Sequence, residues 1–157
     1  MRLYLAQVNV AWMHGAITES VMAGLENRIE EINQLAEESP GFVWRLPASE
    51  VTPSALEPFE SDFPNFHRDR LFYNMSVWES LEDLRAYTFH SAHAELLNER
   101  HQWVDSVAGA SVALWWISRD HRPTVAESAE RLRSVREFGS TPFAFTIRKA
   151  FPPPGDS

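Results

Sequence analysis

The sequence predicts an α+β domain with helices packed on an antiparallel sheet. Three observations carry that expectation. Short segments alternate apolar and polar residues, as strands do. Between them run segments with apolar residues every three or four positions, as amphipathic helices have. The two kinds follow one another as β-α-β-β-α-β with an added α-β, which is the ferredoxin-like split βαβ order with helices on one face of the sheet.

Each element has its own warrant. RLYLAQVNV, residues 2–10, is rich in β-formers and alternates, so it is the first strand. The segment 18–39 follows with Met22, Leu25, Ile29, Ile32 and Leu35 at helical spacing. Thr18 or Ser20 can cap it, and Pro40-Gly41 stops it. GFVWRL, 41–46, is a short strand. Residues 47–69 hold four prolines and no sustained period, so they form a long loop. Its Phe59, Phe63 and Phe66 suggest that it packs on something, either a binding partner or the domain's own core. RLFYNMSVW, 70–78, is a strand. Ser80 and Asp83 then make a capping-box-like start for a helix running to about Val104. SVALWWI, 111–117, is a strand. Thr124 and Glu127 form a capping box for a helix that ends near Phe138 before Gly139, and PFAFTIRKAF, 142–151, is a last strand. Nothing divides residues 1–151, which read as one domain with a loose tail at 152–157.

Composition closes several routes. The chain has 157 residues and no cysteine, so disulfides and thiolate chemistry are excluded. The formal net charge is −8, which lacks the basic footprint of a nucleic-acid binder. No stretch approaches the roughly 20 apolar residues of a membrane span, and no signal peptide is visible, so the expected location is the cytoplasm. The later strands carry aromatics on both faces: Phe72 and Trp78, Tyr73, Trp115 and Trp116, Phe143 and Phe145. A sheet apolar on both faces needs a second cover. A second copy of the chain is the simplest one, so a homodimer through the open face is expected.

Chemistry concentrates in YTFHSAHAELLNERHQW, 87–103. On a helix rising about 1.5 Å per residue, His101 lies about 12 Å beyond His93, so one metal cannot take His90, His93 and His101 together. A pair from His90 and His93 is open geometrically but needs a carboxylate or a third histidine from elsewhere, and no metal site is assigned. At about 100° per residue, His93 and Arg100 fall inside the apolar arc of Phe89, Ala92, Leu96, Leu97, Trp103 and Val104. His90 and His101 fall at its border. A cation and an imidazole facing a core need partners or a ligand. The plain alternatives are a core histidine bonded to a carbonyl or to Asn9 or Asn74, and an ion pair for Arg100 with a loop carboxylate. Gln7 and Asn9 interrupt the apolar first strand, Asn74 and Ser76 interrupt the third, and Tyr87 sits on the helix between. Together they describe an apolar cleft with a few convergent polar groups, the usual form of a small-molecule site. Trp44, Trp78, Trp115 and Trp116 can stack on a flat ligand, or serve as core.

The run SVWESLEDLRAYTFHSAH, with LAQVNVAW, SPGFVWRL, ALWWI and TPFAFTIRKAF, resembles the bacterial domain-of-unknown-function family 3291 (DUF3291). That family resembles the dimeric α/β-barrel superfamily of antibiotic-biosynthesis and haem-degrading monooxygenases. The resemblance implies paired sheets and a ligand cleft between sheet and helices in each protomer. Trp78, Ser80, Ser91 and His93 match its strand-to-helix pattern. Where haem-degrading members place their ligating histidine, this chain has Leu97, although a shift of one turn reaches His93 or His101. Asn9 matches their strand asparagine, and Tyr87 is nearest to their helix tryptophan.

Three readings follow. In the first, the chain is a cofactor-independent oxygenase-like enzyme. His93 is the acid or base, and Arg100 or Asn9 stabilises an oxyanion. Tyr87, Trp44, Asn74, Trp78 and Trp116 hold a flat apolar substrate. In the second, it is a metabolite-binding module without chemistry. In the third, His93 ligates haem.

Overall fold

The computed structural model describes residues 2–63, 65–90 and 99–155. Strand β1 (Tyr4–Met13) is the centre of the sheet, and its residues are buried on both sides. It pairs antiparallel with β3 (Leu71–Trp78) from Leu5↔Trp78 to Trp12↔Leu71. On its other edge it pairs antiparallel with β5 (Val112–Ile117), from Tyr4↔Ile117 to Asn9↔Val112. The two-residue β4 (Val104–Asp105) continues that edge against Trp12 and Met13. Strand β2 (Phe42–Arg45) lies outside β3, with a bulge between Phe42 and Trp44. This is the expected ferredoxin-like antiparallel sheet.

Alternation sends Leu5, Trp78 and Leu114 to one face, where they meet α1 (Leu25–Glu38) and α2 (Leu81–His90) through Ala36, Leu84 and Tyr87. Ala6, Val8, Val10, Tyr73, Met75 and Trp115 go to the other face. That face is not open. The helix α3 (Val125–Phe138) lays Ala129, Leu132 and Val135 on it. The 3-10 stretch Ser54–Asp62 adds Leu56 and Phe59, followed by Phe63. Polar contacts fix this layer. Tyr73 Oη and Ser128 Oγ lie 2.7 Å apart, and Trp115 Nε1 donates to Glu127 Oε2 at 2.8 Å. Arg133 gives two bonds to Asp62, at 2.7 and 3.0 Å, and the Arg136 guanidinium sits 4.5 Å from the Phe63 ring centre.

The expectation of helices on one face is therefore corrected. The added helix and the proline-rich loop supply the second cover from within the chain. The argument for a homodimer from an uncovered face loses its premise.

Three elements also differ from the expectation. The first helix starts at Leu25 rather than at Thr18 or Ser20. Ser20–Met22 forms a separate 3-10 turn, and Gly24, at φ 90, breaks the path between them. The second helix does not reach Val104. Arg100–Gln102 is a 3-10 turn, and Val104 pairs with Met13 in the sheet. Segment 142–151 is not a strand. It touches the sheet at one bridge, Leu114↔Phe145. Local bonds divert its backbone: Thr141 N–H donates to Ala144 O, and Thr146 N–H to Ser140 Oγ. At α3 the Thr124 cap forms, accepting the Glu127 N–H at 3.1 Å. The Glu127 carboxylate does not reach back to complete the box. It holds Trp115 and His121 instead.

Candidate functional site

Between the sheet and the pair α1 and α2 lies a cavity of about 280 Å³. This is just below the roughly 300–1,000 Å³ of common ligand pockets. Its floor is the sheet face bearing Gln7, Asn9, Phe72, Asn74, Val112 and Leu114. Its roof is Leu25, Ile29 and Ile32 of α1 with Leu84 and Tyr87 of α2. Arg28, Arg100, Trp103 and Val104 stand at one end.

The floor carries an amide network. Gln7 Nε2 donates to Asn74 Oδ1 at 2.8 Å and to Ser76 Oγ at 2.7 Å, and Asn9 Nδ2 donates to Gln7 Oε1 at 3.2 Å. Register explains the cluster. Gln7 lies opposite Ser76, and Asn9 opposite Asn74, so strand pairing stacks four polar side chains on one face. The network leaves the Asn9 Oδ1 acceptor and the Asn74 Nδ2 donor without partners among the described residues.

Arg100 is exposed and makes no ion pair among the described residues. Arg28 differs, since it meets Glu31 at 2.9 Å and Glu99 at 3.0 Å. Arg28 and Arg100 thus share this end with Glu31 and Glu99, and Arg100 is the cation without an ion pair among the described residues. Tyr87 Oη donates to Ile32 O at 3.3 Å, and burial pushes its phenol well above the usual tyrosine range. It enters the site as a neutral group.

The structure thus brings Asn9, Asn74, Tyr87 and Arg100 to one cavity. It does not bring the three tryptophans there. Trp78 is fully buried behind Tyr87, with ring centres 4.9 Å apart, and its N–H is given to Ser76 Oγ. Trp44 packs with the cluster on the opposite face of the sheet. Trp116 gives its N–H to Phe151 O, against the 142–151 segment. His93, named above as base or haem ligand, lies outside the described residues. Among the described residues no group of three histidine or carboxylate side chains could hold a metal ion.

Arg28, Thr88 and Trp103 line the cavity without having been singled out in the sequence. Thr88 follows Leu84 by four positions, a spacing that could have found it. Trp103 was read as helical, but it follows the 3-10 turn Arg100–Gln102.

The family described as "Domain of unknown function (DUF3291)" matches residues 4–157. The chain belongs to that family. Among solved structures, this DUF3291 protein is similar to SnoaB of Streptomyces nogalater, described as a cofactor-independent oxygenase. The two share 16% identity and a TM-score of 0.50, over 77% of this chain and 98% of that one. At that identity the likeness concerns the fold. No curated protein matches the chain.

Proposed function

We propose that this DUF3291 protein binds a small, flat, largely apolar molecule in the cavity between the sheet and α1 and α2. One observation carries the reading: an otherwise apolar cavity has an amide network on its floor and, at one end, Arg100 without an ion pair among the described residues. Asn9 and Asn74 offer one acceptor and one donor to a neutral oxygen-bearing ligand. Arg100 favours the anion of a phenol or enol. Such an anion is electron-rich enough to reduce dioxygen directly. For a methylene ketone the balanced outcome is R₂CH₂ + O₂ → R₂C=O + H₂O, with the substrate supplying all four electrons. In this reading the enzyme is oxygenase-like and uses no cofactor. His93 takes the proton, while the Asn74 Nδ2 donor and Arg100 hold the resulting oxyanion. The likeness to a cofactor-independent oxygenase favours this chemistry over simple storage of a metabolite. The ligand site lies within one protomer, and pairing of two sheets is not part of it, because α3 covers that face.

The test is oxygen uptake with 9-anthrone, a flat enolisable ketone, in chelator-treated buffer. The reading expects protein-dependent uptake that falls at least tenfold in His93→Ala and in Arg100→Ala. Saturable anthrone binding with uptake at the background rate would leave the binding module and remove the oxygenase.

A further inference from the structure

The cavity under α1 has a neighbour on the other flank of that helix. Strand β2 ends at Arg45, opposite Ser76, so it covers only the far end of β3. One further bond, Leu46 N–H to Met75 O at 3.0 Å, extends the pairing. Below it β3 has β1 alone as a neighbour. In an antiparallel strand alternate residues turn their N–H and C=O to the same edge. Those of Leu71 and Tyr73 therefore point the way the Met75 carbonyl points, away from β1. A cavity of about 470 Å³ lies against this edge. Leu46 after β2 and Val51 and Leu56 of the proline-rich loop wall it, with Ile17 from the turn after β1.

Asn33 of α1 also lines this second cavity. The residue is 9% exposed, and its side chain has no hydrogen-bond partner among the described residues. Its amide atoms are not among the buried unpaired ones, so they face the open cavity, and a ligand that enclosed them would have to pair with them. The charges nearby are already matched: Arg45 meets Glu37 at 2.9 Å, and Arg68 meets Glu60 at 2.9 Å. Asp69 at the rim repels anions. What remains is a largely apolar chamber with the Asn33 amide able to give and to take a hydrogen bond, and with Asn74 on the wall shared with the first cavity.

We infer that this chamber is a second ligand site, for an uncharged small molecule with an apolar body and a carbonyl or hydroxyl group that pairs with Asn33. It stands apart from the first cavity. The two share Ile29, Ile32, Phe72 and Asn74 as a common wall, and Asn33 lines only the second.

The probe is prodan, a neutral naphthyl ketone, added to ¹⁵N-labelled full-length protein. The side-chain amide signals of Asn33, assigned by their loss in Asn33→Leu, are expected to shift with saturation. Asn33→Leu is expected to weaken prodan about tenfold. Without ligand it should melt no lower than the parent, because leucine removes an unpaired amide. Excess 1-naphthol, the probe for the first cavity, is expected to leave the Asn33 shifts in place. Unmoved Asn33 signals at saturating prodan would overturn the inference. So would unchanged prodan affinity in Asn33→Leu, displacement by 1-naphthol, or a lower melting point that assigns Asn33 a structural partner. If Asn33→Leu does not fold, the near-isosteric Asn33→Asp, which also lacks the side-chain NH₂, supplies the assignment, and the amide titration of the parent protein decides.

Discussion

Gln7 holds the cavity floor together with three hydrogen bonds while only 6% exposed. Gln7→Leu leaves Asn74 Oδ1 without its donor and Asn9 Nδ2 without its acceptor, while Ser76 Oγ keeps the Trp78 N–H. The expected loss is about 1–3 kcal/mol, read as a lower denaturant midpoint at unchanged slope. An unchanged midpoint would show that the network adds nothing. The tyrosines give a pH signature at this scale. Burial raises the phenols of Tyr73 and Tyr87 above the ordinary tyrosine value of about 10. The folded protein then keeps protons that the unfolded chain releases, so their contribution is full below about pH 10 and is lost as pH rises above it. Alkaline unfolding should therefore steepen above about pH 10, and Tyr73→Phe with Tyr87→Phe should flatten that slope. Asn9, Asn74, Tyr87 and Arg100 were legible in the sequence because polar residues on an apolar face stand out. Trp78 was not. Alternation assigns a residue to a face, but cannot say whether an aromatic lines a cavity or stands behind the residue that does.

The elements that were legible are those with uninterrupted periodicity. β1, β3, β5 and α3 follow their apolar patterns and caps closely. Segment 142–151 alternates just as well, yet side-chain and turn bonds at Ser140 and Thr141 claim its backbone. Apolar alternation reports burial, and Phe145 is fully buried without belonging to a strand. The helix carrying the histidines was extended to Val104 because its apolar arc continues. Pairing of Val104 with Met13 overrides that local pattern. Two changes test the element boundaries. Thr124→Ala removes the α3 cap and should cost about 0.5–2 kcal/mol. Gly41 has φ 81, and a Cβ added there would run into the Asp83 side chain. Gly41→Ala should therefore cost more than about 1 kcal/mol. Thermal melts of both variants matching the parent would contradict these placements.

At the scale of the whole molecule the chain builds three layers: α1 and α2, the sheet, then α3 with the 54–62 stretch. The two-faced apolar sheet was legible. What covers its second face was not, because a proline-rich loop has no period to read. Its Phe59 packs 5.6 Å from the Tyr73 ring and is fully buried. Light scattering should therefore give a particle near the 18.0 kDa chain mass, since the sheet face that would pair two copies is occupied. A stable dimer broken by changes on that face would show the opposite. No helix among the described residues is long and apolar enough to cross a membrane. The central claim is that the cavity under α1 and α2 binds a flat, ionisable molecule with Arg100 favouring its anion. Its most direct test is a spectrophotometric titration of 1-naphthol against the protein across pH. The account predicts saturable one-to-one binding, a naphthol pKa lowered on binding, and about tenfold weaker binding of the naphtholate in Arg100→Ala. A naphthol pKa that does not move on binding, or the same affinity in Arg100→Ala, would contradict it.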